Sequence, residues 1–101
     1  MSDAVTTPRT KTEVKTQRPR LHKVILVNDD YTPREFVVVL LKGEFRMSED
    51  QAYRVMITAH QRGVGVVAVY IQEVAETKAN RATEMARSKG YPLLFTTEPE
   101  E

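Results

Sequence analysis

The chain has 101 residues, no cysteine or tryptophan, and 15 Lys and Arg against 14 Asp and Glu, for a formal net charge of +1. That length holds one domain, so a separate cofactor domain and substrate domain are excluded, and the missing cysteines exclude disulfide frameworks, thiolate metal sites and a cysteine nucleophile. Near-neutrality leaves no global field to recruit nucleic acid or anionic lipid.

The charge is unevenly placed. Residues 1–20 hold five bases and two acids, a net of +3, which leaves ten bases and twelve acids, a net of −2, for residues 21–101. The first twenty residues contain only Met1, Ala4, Val5 and Val14 as apolar positions. So little apolar surface cannot offset ordering entropy, and the segment reads as a flexible polar, basic extension ahead of a core over 21–101. It has neither the apolar run of a signal peptide nor the acid-poor composition of a transit peptide. The longest apolar runs, such as Phe36 to Leu41, are far short of a membrane span, so the expected setting is the cytoplasm.

Val24-Ile25-Leu26-Val27 is β-rich and apolar on both faces, which predicts a central strand stopped by Asn28-Asp29-Asp30. Thr32-Pro33-Arg34-Glu35 reads as a helix start, with Thr32 as the cap, Pro33 first in the helix and Glu35 three residues after the cap. That helix is expected to run to about Phe45. Ser48-Glu49-Asp50-Gln51 repeats the capping pattern, and Ala52, Val55, Met56 and Ala59 mark the apolar face of a second helix that Gly63 ends. Val64 to Ile71 is a Val-rich strand in which Gly65 suggests a bulge. Glu73 to Lys89 has helical spacing at Val74, Ala75, Ala82, Met85 and Ala86, closed by Gly90 and Pro92, and Leu93 to Thr97 forms a last strand. The expected fold is α+β in the order β-α-α-β-α-β. The helical crossover favours parallel second and third strands, with the first strand between them and antiparallel to both. The result is a three-stranded antiparallel sheet with three helices packed on one side.

In Asn28-Asp29-Asp30 two carboxylates and an amide oxygen offer acceptors beside a helix N-terminus: either a turn with favourable charge near the dipole, or a site for a cation, an ammonium or a metal ion. His60 shares a helical face with Met56 and Ala59, near the helix end, where it reads either as a partly buried histidine or as a ligand. His22 carries no pattern and reads as a surface residue. No serine sits at a strand-to-helix elbow, and one histidine with two adjacent aspartates is too few for zinc, so neither a catalytic residue nor a metal or cofactor is expected. Gly63-Val64-Gly65 follows a helix and is no dinucleotide fingerprint. Glu73, Glu76, Lys78 and Arg81 read as a solvated charged face.

The run Lys23-Val24-Ile25-Leu26-Val27-Asn28-Asp29-Asp30-Tyr31-Thr32-Pro33, followed by Glu35-Phe36-Val37, resembles the ClpS family of bacterial and plastid proteolytic adaptors. Met56 with His60 and Gly63, then Glu73-Val74-Ala75-Glu76-Thr77-Lys78, then Pro92-Leu93, agree in order and spacing, so the resemblance covers about residues 20–97. It implies a monomeric binding module, not an enzyme, that captures N-degron substrates by a free, bulky, hydrophobic first residue (Phe, Leu, Tyr or Trp). The module passes them to a ClpA-type AAA+ unfoldase for degradation by ClpAP. The resemblance places α-amino contacts on Asn28, Asp29 and His60. It places the side-chain pocket on Asp30, Thr32, Val37, Met56 and Leu93, with Arg34 and Ala59 at the rim, and the unfoldase-facing surface around Glu73 and Lys78. Arg34 stands where the family commonly has Met, and Ala59 where a larger aliphatic residue is usual, so the ranking among first residues is expected to differ. The rival expectation is a small nucleic-acid or ribosome-associated module using the basic extension. Its five scattered bases lack interleaved aromatics and form a weak footprint.

Overall fold

The computed structural model describes residues 18–100. The element order is β1 (Leu21–Val27), α1 (Arg34–Phe45), α2 (Glu49–Arg62), β2 (Val64–Ile71), α3 (Gln72–Ser88) and β3 (Leu94–Pro99). The extension expected over residues 1–20, and with it the nucleic-acid reading, falls outside the described residues for positions 1–17.

β1 lies between β2 and β3 and is antiparallel to both, the arrangement expected from the crossover through α3. Alternation along β1 turns His22, Val24 and Leu26 toward the helices. Val24 and Leu26 there join one core with Val37, Leu40 and Leu41 of α1 and Phe45 at its end. On the open face, Ile25 is buried by its strand neighbours, whereas Val64, Val66 and Leu94 remain exposed.

Four features differ from expectation. The helix face that α3 buries is Ala75, Ala79, Ala82 and Ala86, while Val74 and Met85 are exposed. Small side chains let this helix approach the sheet closely, and Val74 and Met85 both fall about 100° to the same side of the stripe. Gly65 is not a bulge: the irregularity lies opposite Val24 and Ile25, where Val67 is the extra residue. Gly65 instead permits close packing, because a Cβ there would stand 2.9 Å from the Val55 carbonyl oxygen and 3.3 Å from the Ala59 nitrogen. His22 is buried, not on the surface, because the strand begins at Leu21 and sets position 22 on the core side. Its Nδ1 has no hydrogen-bond partner.

The fourth is a buried acid. Glu44 follows Val37, Leu40 and Leu41 on the core-facing stripe of α1. Its Oε2 lies 3.4 Å from Arg81 Nε and 3.9 Å from Lys78 Nζ. Neither contact is a hydrogen bond, so this oxygen is balanced by charge alone. Lys78 Nζ instead donates to the Glu44 carbonyl at 3.0 Å and lies 5.8 and 5.7 Å from the ring centroids of Phe45 and Tyr70. Burial, and then the Glu44 charge, raise the Tyr70 phenol above its ordinary 10.0. Lys78 and Arg81 thus serve a buried carboxylate, not a purely solvated face.

Candidate functional site

Sheet register assembles the site. Val27 pairs with Val64 on one side and Leu94 on the other, so Asn28, Gly63 and Leu93 adjoin at one end of the sheet. The Asn28 backbone N–H donates to the Gly63 carbonyl at 3.0 Å. Gly63 caps α2 at φ 93°, a left-handed conformation that glycine adopts without a Cβ penalty, and its N–H donates to the Ala59 carbonyl at 2.7 Å. At the other end of α2, Ser48 and Gln51 form the expected reciprocal capping box.

The loop from Asn28 to Pro33 is built around Asp29. Its Oδ1 accepts from the backbone N–H groups of Tyr31 and Thr32, both at 2.8 Å. The Thr32 hydroxyl donates to the same carboxylate, 2.9 Å from Oδ2 and 3.1 Å from Oδ1. Thr32 is therefore not the expected helix cap. Pro33 holds that position with no side-chain bond, while the Thr32 hydroxyl is turned to the Asp29 carboxylate. A carboxylate has about four lone-pair sites, so Asp29 Oδ2 retains acceptor capacity after the loop is satisfied.

Val37, Met56, Ala59 and Leu93 are buried members of one core cluster. Asn28, Asp29 and Thr32 are half-buried, and Asp30 and Arg34 are exposed. His60 is exposed, not partly buried: one position beyond Ala59 turns it about 100° away from the core side. Arg34 also lines a groove between α1 and α2.

Two of the expected contact residues lie elsewhere. Leu21 pairs with Ile71 at the opposite end of the sheet, and the Gln72 N–H donates to the Arg20 carbonyl there. Exposed Glu73 is thus separated from the Asn28 loop by the length of β1, about 20 Å for seven residues. Half-buried Lys78 points toward Glu44 and the two aromatic rings. Glu44 and Tyr70 escaped the sequence reading, although an acid at the core phase of α1 was a visible signal. Among the described residues, no group of three or more His, Cys, Asp or Glu is placed to hold a metal ion.

The half-buried polar side chains of Asn28, Asp29 and Thr32 thus stand beside Gly63 and Leu93 at one end of a three-stranded sheet backed by helices. A family model described as ATP-dependent Clp protease adaptor protein ClpS matches residues 17–96, and the chain belongs to that family. It is a non-catalytic proteolytic adaptor that delivers N-degron substrates to ClpA for degradation by ClpAP. The chain is 71% identical over 101 residues to the ATP-dependent Clp protease adapter protein ClpS 1 of Bradyrhizobium diazoefficiens, with both chains covered completely. It is 68% identical, again with full coverage of both, to ClpS 2 of Mesorhizobium japonicum. The solved structure of Agrobacterium tumefaciens ClpS2 bound to L-phenylalaninamide is similar with a TM-score of 0.80 and 61% identity, covering 82% of this chain and 100% of that one.

Proposed function

We propose that the site at the Asn28 end of the sheet captures substrates by a free first residue that is bulky and hydrophobic: Phe, Leu, Tyr or Trp. Asn28, Asp29 and His60 receive the α-amino group. Asp30, Thr32, Val37, Met56 and Leu93 hold the side chain, with Arg34 and Ala59 at its rim. Glu73 and Lys78 face the unfoldase, and the adaptor acts as a cytoplasmic monomer.

The observation that carries this reading is the register that joins Asn28, Gly63 and Leu93, because it sets polar acceptors directly against an apolar cluster. An α-amino group has a pKa near ~8 and is mostly cationic at neutral pH, so it requires acceptors when desolvated. Asn28 offers an amide oxygen, Asp29 a carboxylate with spare capacity, and neutral His60 a ring nitrogen. Met56 adapts to aliphatic or aromatic shapes. Burying one Leu or Phe contributes roughly 1.5 to 3 kcal/mol and each charge-assisted hydrogen bond about 1.5 to 3 kcal/mol, which after association costs gives affinity in the micromolar range. Phenylalaninamide, the ligand of the Agrobacterium protein, keeps both features required here, a free α-amino group and a Phe side chain.

The test is a titration with a labelled peptide beginning with free Phe and with the same peptide acetylated. Binding of the free form with loss on acetylation is expected; equal binding of both, or of neither, overturns the reading.

A further inference from the structure

A substrate held by its first residue brings the residues behind it across whatever surface borders the site. The phase of α2 identifies that surface. Glu49, Tyr53, Met56 and His60 fall at alternating four- and three-residue spacing and so form one stripe along the helix. The Met56 and His60 end of the stripe borders the Asn28 loop. Its Glu49 and Tyr53 end lines a groove of about 450 Å³, whose opposite wall is Arg34, Val38, Val39 and Lys42 of α1.

This groove leaves large apolar side chains in water: Val39 is 65% exposed and Tyr53 is 50% exposed. An ion pair between Lys42 and Glu49, at 3.2 Å, marks its far end. Arg34 belongs to both the groove and the proposed rim, so the two surfaces are continuous.

We propose that the groove receives the substrate chain downstream of its first residue and seats an apolar side chain at about the fourth position against Val39 and Tyr53. The proposal rests on the first-residue reading above. His60 and Tyr53 are seven residues apart on α2, about 10 Å along the axis at 1.5 Å per residue. An extended peptide covers that in about three residues at roughly 3.3 Å each, so a first residue anchored at His60 lays residue four over Tyr53. The occupant is a polypeptide because an adaptor of this family must pass one across this edge.

The experiment uses the full-length chain and three probes in calorimetry: phenylalaninamide, an eight-residue peptide with Phe first and Leu fourth, and the same peptide with Ser fourth. The Leu peptide binds about three- to tenfold tighter than the Ser peptide, as expected for partial burial of one apolar side chain. Val39→Ser and Tyr53→Ser each reduce that difference and leave phenylalaninamide affinity unchanged, which also reports that the variants are folded. Equal binding of the two peptides to the unaltered chain overturns the proposal. So does a pair of variants that change only self-association or only delivery by the unfoldase, since the groove then belongs to a second copy or to that partner. Failure of phenylalaninamide to bind the unaltered chain overturns the first-residue reading and this inference together, whereas phenylalaninamide binding with no effect at position four overturns this inference alone.

Discussion

The Asn28 N–H donates to the Gly63 carbonyl across 3.0 Å, tying the loop after β1 to the cap of α2. Through this one bond the acceptors of the loop and the His60 end of the helix keep a fixed relation. The site is therefore sensitive to residues that set the loop or the helix position, even where those residues touch no substrate.

Asp29 orders the loop and, in the proposed reading, also accepts the substrate's amino group, and substitutions separate the two roles. Asp29→Ala abolishes both and is expected to weaken a Phe-first peptide at least tenfold, the size of one lost charge-assisted hydrogen bond or more. Thr32→Val removes only the hydroxyl that donates to the carboxylate and is expected to weaken the same peptide less. Fluorescence anisotropy titrations of both variants check this order, and a Thr32→Val effect as large as that of Asp29→Ala contradicts it.

Gly65→Ala places a methyl 2.9 Å from the Val55 carbonyl oxygen, which is helix backbone and cannot move without shifting α2. The expected loss of stability is about 1 to 3 kcal/mol, the usual cost of overpacking. Peptide affinity falls as well, since α2 carries Met56 and His60. Urea denaturation measures the first effect, and a peptide titration well below the denaturation midpoint measures the second.

Glu44 is buried with charge partners but without a hydrogen bond to Oε2. Lys78→Met leaves only the more exposed Arg81 opposite it and is expected to destabilise the isolated protein by about 2 kcal/mol. Glu44→Leu combined with Lys78→Met recovers most of that loss, because an apolar pair needs no charge balance. A double variant no more stable than Lys78→Met alone would falsify the account.

Tyr70 gives a pH dependence with a definite sign. Its folded pKa is raised above 10.0, by burial first and Glu44 second, so the folded state keeps a proton that the unfolded chain releases. Its contribution is fully present below about pH 10 and declines as pH rises through the higher folded value. Denaturation midpoints measured from about pH 8 to 11.5 are expected to fall less steeply for Tyr70→Phe than for the unaltered chain. Identical slopes would remove Tyr70 from the explanation.

Arg34 lies at the first position of α1, is exposed and lines the groove, and in the proposed reading it stands at the rim of the side-chain pocket. Arg34→Met is expected to increase the preference for Leu and Phe over Ile and Val as first residues. A first-residue scan of otherwise identical peptides measures it, and an unchanged ranking counts against a rim role.

Much of this protein was determined by sequence-local physics. Strand, turn and helix signals placed all six elements, since apolar runs, Ser48 capping and Gly63 are read within one or two turns of chain. Their order and the doubly apolar β1 were enough for the sheet topology, and the run from Lys23 to Pro33 carried the family. The tertiary structure decided the partners of polar atoms. Lys78 and Arg81 looked solvated until α1 brought Glu44 beside them. His22 was unreadable because the expected strand began at Val24; with β1 running back to Leu21, alternation sets His22 on the core face of Val24 and Leu26. Local propensity depends on neighbours a few residues away, whereas burial and polar pairing depend on which distant segments meet; here the pairing of Val27 with Val64 and Leu94 brought Asn28, Gly63 and Leu93 together.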